Sequence, residues 1–330
     1  MNHLITYGSV EAIPFHNCSW KSSKEWWETG VKRPWLGIPV VIIGVLIELL
    51  YIPVIYIIFQ TRLIRFTCYR LMTVLAVIDM SATVCSSLIT GTLLTQGAVF
   101  CSYPEFIYIA GGFVLSTWCC SCAITVSLFL NRSVSIVFKK YSGAIEARIA
   151  FTSMTFCFCY MVYINCFTPP IFFNSDVMAW LPDPLSEEEP SEEAAEWYHN
   201  TAHDLNNWIF CVLMLVLFTV YYILVKHLAQ GQNSKTSRAI FIQCTIICFF
   251  NTCVAVLYNA LSLITLAPWI LVFCQMCWTL NHGIPAIIYV TMNDTIRREF
   301  KKLLHGKITR RVDEKRSSLS VLTSVSHSRM

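Results

Sequence analysis

A chain of 330 residues that is 55% hydrophobic and only 13% charged carries too little polar surface for a soluble globular domain, in which about a quarter of residues are charged. Most of its sixteen cysteines lie within apolar runs, where Cys behaves as a small hydrophobe, so their number does not imply a disulfide scaffold. The net charge of +4 is small and gives no reason to expect a nucleic-acid partner; the composition is that of an integral membrane protein.

Residues 1–34 form an N-terminal arm. Its first thirty residues contain no apolar stretch long enough for a signal-peptide core and are interrupted by Glu11, Lys21, Lys24 and Glu25. Asn17-Cys18-Ser19 is a glycosylation sequon with Asn17 as acceptor.

Seven apolar segments then reach the roughly 20 residues that a spanning helix needs. They cover residues 35–59, 69–94, 103–137, 148–173, 205–229, 239–266 and 269–292. The predicted fold is an all-α seven-helix transmembrane bundle over residues 35–292. The third segment is long enough to tilt, and Pro268 marks the tight turn before the seventh. An odd count without internal repetition fits poorly with two inverted halves.

Orientation follows from the basic residues in the connections. Arg62, Arg65, Arg70, Lys139, Lys140, Lys226 and Lys235 lie in the first, third and fifth connections, and ten more Lys and Arg lie between residues 297 and 329. The second, fourth and sixth connections have none. Lys32 and Arg33 blur the signal at the first helix, but the sum puts the N-terminus outside. Arg132 then falls one to two turns from the inner end of the third helix. It can snorkel there as an interfacial anchor, or face the opening that a G protein enters.

On the outer face, Cys18 and Cys101 are available to pair, and the connection at 174–204 has no cysteine. The alternatives are a Cys18–Cys101 bridge and two free thiols. That connection is acidic, with Asp176, Asp183, Glu187, Glu188, Glu189, Glu192, Glu193, Glu196 and Asp204. Pro182, Pro184 and Pro190 make its first half irregular, and Ser191 is a good N-cap. No Pro or Gly follows until Gly231, so the fifth helix is expected to project beyond the bilayer. His199, His203 and Asp204 have metal-ligand spacing but read as a solvated helix face; no metal is expected.

Charged groups at bilayer depth are costly and therefore functional candidates. Glu48, Asp79, Asn281 and His282 fall near the midplane of the first, second and seventh helices, as a packing cluster, a monovalent-cation site or a proton relay. With two carboxylates close together, one is protonated, or a cation or His282 lies between them. Higher in the bundle, Tyr108, Phe113, Trp118, Met214, Tyr258, Asn259, Trp269, Phe273, Gln275 and Trp278 form a candidate cavity lining suited to small, mainly neutral ligands.

The motifs NCSW, LGI, LYIP, CYRLM, IDM, ITGTLLTQGAVFCSYPEFIYIAG, LNRSVSI and HGIPAIIYVTMNDTIRREF, spread from Asn17 to Phe300, resemble those of the nematode serpentine chemoreceptors of class T. That family is a branch of the seven-helix G-protein-coupled receptors. The resemblance implies chemosensory signalling through a heterotrimeric G protein in the plasma or ciliary membrane of sensory neurons. Asp79 looks like the second-helix aspartate of rhodopsin-like receptors. Pro285 to Tyr289 looks like a variant of their seventh-helix motif. Asn131-Arg132 stands where those receptors have an acid followed by arginine. With that acid missing, and none at the inner start of the sixth helix, the usual ionic latch is in doubt; Arg132 is expected to be freer, with a low barrier to activation or a latch built from neutral hydrogen bonds.

Residues 293–304 are predicted to form an amphipathic helix on the inner leaflet, with Ile296, Phe300, Leu303 and Leu304 on one face and basic residues on the other. The tail, 305–330, has the composition of a disordered segment. Ser317, Ser318 and Ser320 are candidate phosphorylation sites whose modification would weaken attachment to the membrane; an unmodified solubilising tail is the alternative. Three functions follow: a ligand-activated receptor, a transporter or channel with Glu48, Asp79 and His282 as its ion path, or a membrane enzyme. H-E-x-x-H and G-x-S-x-G are both absent, so an enzyme is not expected. No oligomeric state is assigned.

Overall fold

A computed structural model describes residues 1–137, 142–185, 191–228, 235–261 and 268–305. Seven long apolar helices make the bundle: Pro34–Gln60, Thr67–Gln96, Pro104–Val137, Ser142–Phe167, Thr201–Leu228, Lys235–Leu261 and Pro268–Met292. Three of them begin on proline, whose fixed φ suits the first turn and whose missing N–H would be unpaired there in any case. The third helix is the axis. It is 78% buried over its most apolar window, against 17% for the fourth and fifth, whose Phe151, Phe158, Leu215 and Tyr222 turn outward. These exposed apolar side chains are the lipid-facing surface of a spanning bundle.

The first and second helices meet backbone to backbone. A methyl group on Gly37 would collide with the carbonyl of Gly91, and one on Gly91 with that of Gly37. Small residues at a contact are how membrane helices gain packing where water provides no drive. Just below this contact the second helix widens into a π segment at Val84–Ile89. The carbonyl of Ser86 takes hydrogen bonds from Thr279 (2.9 Å) and Gln275 (3.3 Å) of the seventh helix. A π-bulge frees backbone groups in this way, and such bulges recur at functional sites.

The outer mouth is closed by two structures. One is a short antiparallel hairpin, β1 (Phe172–Asn174) and β2 (Ala179–Leu181), paired Phe172 to Leu181 and Phe173 to Trp180. Its turn is held by Ser175 N donating to Ala98 O (3.1 Å) and Arg33 Nε donating to Ser175 O (3.2 Å). Gly111 allows the hairpin's lead-in to touch the third helix, since any side chain there would strike the carbonyl of Ile171. Three-residue strands are too short for alternation to reveal them: Phe172 and Phe173 were expected at the end of the fourth span, which instead stops at Phe167, and the residues after them were expected to be irregular.

The other is the N-terminal arm, fastened by a Cys18–Cys101 disulfide with Cα atoms 5.6 Å apart. Trp26 donates from Nε1 to Cys18 O (2.8 Å), and Ser22 and Glu25 form a capping box under it. Asn17 is exposed, and its Oδ1 accepts from Ser19 N. Replacing either Cys18 or Cys101 by Ser is expected to reduce surface display equally, with the double variant no worse. Flow cytometry of the tagged protein measures this, and additive losses would exclude a shared bond.

Within the arm, His16 is enclosed by Phe100, Tyr108, Phe172 and Tyr198 at ring separations of 5.2 to 6.0 Å. Burial pushes its pKa from 6.5 down to about 4, and nearby His3 pushes the same way while the carbonyl of Pro14 opposes. A released arm therefore binds a proton at His16 that the docked arm refuses. Docking is at full strength above about pH 6.5 and weakens as pH falls toward 4. Limited proteolysis of the arm should be faster at pH 5 than at pH 7.5, and His16→Phe should remove the difference. Equal rates for the unsubstituted protein would contradict this.

Two expected elements differ in detail. The fifth helix does not project as one piece. A separate helix, Glu192–Tyr198, capped by Ser191, stops at His199, and Asn200 starts the spanning helix by accepting from His203 N (2.9 Å). The Asn200 amide also donates to Pro169 O (2.6 Å) and Thr168 Oγ1 (3.1 Å), tying the break to the end of the fourth helix. A side-chain cap satisfied from three directions outweighs helical continuity that nothing in the local sequence forbids. The helix after the seventh span runs Asp294–Leu304 with Asn293 as its cap. Its apolar face is divided: Ile296 is fully buried and Phe300 packs against the bundle, whereas Leu304 is 69% exposed.

Candidate functional site

Beneath the hairpin lies a cavity of about 150 Å³ walled by Trp118, Trp180, Tyr258 and Trp278, with Leu115 and Ile171, and bounded on one side by His203 and Asp204. Trp118, Tyr258 and Trp278 are three of the ten expected lining residues. The others go elsewhere. Trp269 and Phe273 are 72% and 55% exposed and face away from the bundle. Tyr108 packs under the arm against His16 and Phe172, Phe113 and Met214 belong to the surrounding core, Gln275 serves the π segment, and Asn259 is buried on the sixth helix without reaching the cavity. Helical spacing alone does not say which face of a membrane helix is inward when both faces are apolar. The missed wall residues came from the hairpin and from the newly capped end of the fifth helix, neither of which was legible.

Trp180 is held by donating to Thr90 Oγ1 (2.8 Å) and Trp118 by donating to Asn207 Oδ1 (2.9 Å). Asn207 Nδ2 is 3.2 Å from His203 Nε2. His199 Nε2 and His203 Nδ1 lie 3.0 and 3.7 Å from the two oxygens of Asp204. The His199, His203 and Asp204 trio is thus a polar rim with Asp204 between the two imidazoles, and the described residues contain no metal-binding cluster.

Below the cavity, Trp118 and Trp278 each set a ring at a steep angle to His282, at 6.2 and 6.1 Å. His282 Nδ1 is 2.9 Å from Asp79 Oδ1, which also accepts from Ser121 (3.3 Å). Tyr51 lies 3.1 Å from Asp79 Oδ2 and donates to His282 O (2.7 Å). All four are fully or almost fully buried. The Asp79 carboxyl thus has three polar neighbours, one of them an imidazole, whereas Nε2 of His282 is buried with no hydrogen-bond partner among the described residues.

Two midplane expectations need correction. Glu48 is not a member: it is half-buried, and its Oε1 has no hydrogen-bond partner among the described residues. The inward stripe of the first helix runs through Val40, Gly44, Ile47, Tyr51 and Val54, so Tyr51 reaches Asp79 and Glu48 sits at the stripe's edge. Asn281 turns from the cluster to the sixth helix, donating to Asn251 Oδ1 (3.3 Å). Pro285 lies inside the continuous seventh helix one turn below, and Tyr289 is fully buried beyond it.

At the inner end Arg132 is not free. Its guanidinium pairs with Glu146 Oε2 at 2.8 Å, with both side chains about nine-tenths buried. Asn131, where an acid was missed, accepts from Arg132 Nε (3.1 Å) and donates to Glu146 O (3.1 Å). Thr67 completes the knot by donating to Glu146 Oε2 (3.1 Å). The expectation of a freer Arg132 is therefore corrected: an acid reaches it from the first turns of the fourth helix. Glu146 in GAIEARIA lies on a different helix from Arg132, and its local sequence gives no spacing signal of the pairing. Ser317, Ser318 and Ser320 lie outside the described residues.

An outer cavity, a buried acid–imidazole cluster and a buried Arg132–Glu146 ion pair, stacked along one seven-helix bundle, invite comparison with known receptors. The model of the serpentine type 7TM GPCR chemoreceptor Srt family matches residues 3–313. Serpentine receptor class T-55 of Caenorhabditis elegans is 26% identical over 296 residues, covering 88% of this chain and 80% of that protein. This is a family of receptors rather than of enzymes. With the match extending from the arm through all seven spans, the chain belongs to the Srt family of serpentine seven-transmembrane G-protein-coupled chemoreceptors, and it is a multi-pass integral membrane protein.

Proposed function

We propose that this protein is a chemosensory receptor of the plasma or ciliary membrane of sensory neurons, taking a small, mainly neutral molecule into the cavity beneath the hairpin and activating a heterotrimeric G protein at the face around Arg132. The observation that carries this reading is the unbroken contact from cavity to core. Trp118 and Trp278 line the cavity and both pack on His282, which holds Asp79. A ligand that moves either indole disturbs a cluster shared by the first, second, third and seventh helices, and packed cores of this kind switch between discrete arrangements. The imidazole of His282 fills the place beside Asp79 that a monovalent cation would take, so no cofactor is needed. Asn17 is the glycan acceptor. Arg297, Arg298, Lys301 and Lys302 on the helix after the seventh span are the contacts to anionic lipid. An ion path would need Glu48 in line with Asp79 and His282, and Glu48 stands apart from them.

The test is a chemical screen on cells expressing the full chain, read by G-protein recruitment in the presence and absence of the G protein. A response that vanishes without G protein is expected. A conductance that persists without it would replace the receptor reading with a channel.

A further inference from the structure

We propose that the groove on the lipid-facing side of the third, fourth and fifth helices binds a sterol, a flat fused-ring lipid with one hydroxyl, and that Tyr160 and Asn206 hold that hydroxyl. The site is separate from the cavity beneath the hairpin, and it does not depend on the receptor reading. The groove has a volume of about 610 Å³, the size of a pocket that encloses a small molecule. It runs from Tyr163 to Thr152 along the fourth helix and from Ala202 to Leu213 along the fifth. At about 1.5 Å per residue that is roughly 16 Å, close to one leaflet of a bilayer whose apolar core is about 30 Å thick. Phe156 and Tyr163 at its rim are 57% and 49% exposed, on helices whose outward faces meet lipid.

Charge and shape choose among lipids. No lining residue is charged, so a phospholipid headgroup finds no partner in the groove. The fourth helix supplies a flat wall: the ring planes of Phe156 and Tyr160 lie within 19° of parallel at 5.3 Å, and those of Tyr160 and Tyr163 within 13° at 6.5 Å. A rigid ring system packs along such a row without losing rotamers, whereas an acyl chain has to be ordered to do so.

The polar end fixes the orientation. Tyr160 lies about 10 Å inside the outer end of the fourth helix, a depth at which no bulk water serves its hydroxyl or the Asn206 amide. Both side chains line the groove and are partly exposed. Tyr160 donates to Asn206 Oδ1 (3.1 Å), and each of these oxygens has a second lone pair with which to accept from a lipid hydroxyl. Asn206 is held in place, because its Nδ2 donates to Asn207 Oδ1 (3.2 Å), which also accepts from Trp118 Nε1 (2.9 Å). The hydroxyl therefore meets a pair already arranged for it, and the ring body extends from there toward the midplane, past Ile209 and Phe156.

The test uses the full chain in phosphatidylcholine vesicles containing a photoreactive diazirine analogue of cholesterol, with labelled peptides identified by mass spectrometry. Label is expected within residues 152–163 and 202–213. Cholesterol should displace it at a concentration at least about fivefold lower than cholestane, which lacks the hydroxyl, or oleyl alcohol, which has the hydroxyl on a flexible chain; fivefold is what about 1 kcal/mol for one hydrogen bond provides. Tyr160→Phe keeps the ring wall and should bring cholesterol and cholestane to within about twofold of each other. Ala202→Trp fills the outer end of the groove and should abolish the label, with circular dichroism showing that the helices of both variants persist. Label spread over other helices would overturn the proposal. So would equal displacement by all three competitors, or a cholesterol preference that survives Tyr160→Phe. Label that falls as protein density in the vesicles rises would assign the groove to a second copy of the chain instead.

Discussion

Glu146→Gln is expected to raise ligand-independent signalling about tenfold at equal surface level. The carboxylate holds Arg132 at 2.8 Å in a setting about nine-tenths removed from solvent, and it also takes the Thr67 hydroxyl. Removing one partner of a buried ion pair costs about 3–5 kcal/mol, because the remaining charge is left uncompensated. Asn131 still accepts from Arg132 in the variant, so only part of that cost falls on the closed form. Even about 1.4 kcal/mol shifts a two-state balance tenfold toward the open form. Arg132→Ala should act in the opposite direction, abolishing recruitment at unchanged display, because the open form then lacks the group that meets the G protein. The two substitutions together should be as silent as Arg132→Ala alone. Basal recruitment normalised to surface receptor measures all three. A quiet Glu146→Gln would make the fourth-helix pair a packing feature only, and normal recruitment per molecule with poor display in Arg132→Ala would make Arg132 an anchor.

His282→Leu should abolish surface display, and Asp79→Asn should largely restore it. The imidazole is the partner able to neutralise the Asp79 carboxyl; Tyr51 and Ser121 supply hydrogen bonds only. Stranding that carboxylate at the centre of the bundle costs about 3–5 kcal/mol, a large share of the roughly 5–15 kcal/mol that holds a typical protein folded. Asparagine in its place is neutral and keeps the bonds to Tyr51 and Ser121. The double variant should therefore lie nearer the unsubstituted protein than His282→Leu alone, with a coupling of about 1–3 kcal/mol. Antibody staining of a tag on the N-terminal arm, with thermal stability of detergent-solubilised receptor as a second readout, gives the cycle. Strict additivity would show that Asp79 and His282 do not act on one another.

Reading from one chain went furthest where a residue's position decides its role unaided. Seven spans and their order follow from segment length, and the placement of Lys and Arg predicts their orientation, because the bilayer itself imposes both rules. The Cys18–Cys101 bond followed for a similar reason: few cysteines were placed outside, and oxidising surroundings favour pairing. Asp79 and His282 stood out as midplane candidates because a charge at that depth must have company, but protonation, a cation and His282 all remained open as that company.

What failed did so on rotation and on long-range partners. Glu48 and Tyr51 are three residues apart on one apolar helix, and only packing against the second and seventh helices determines which turns inward. Trp269 and Phe273 face outward for the same reason. Glu146 became the partner of Arg132 because the third and fourth helices run side by side at their inner ends, a neighbour relation no local pattern encodes. The cavity, too, is a tertiary product: its roof is a hairpin three residues deep on each strand, pinned by Ala98 and Arg33 from other parts of the fold. Apolar length and basic charge act through the solvent and need no second segment, so the chain alone determined its passage through the membrane. Facing and pairing need surfaces that exist only once the helices have met, so the bundle decided the cavity, the core cluster and the latch.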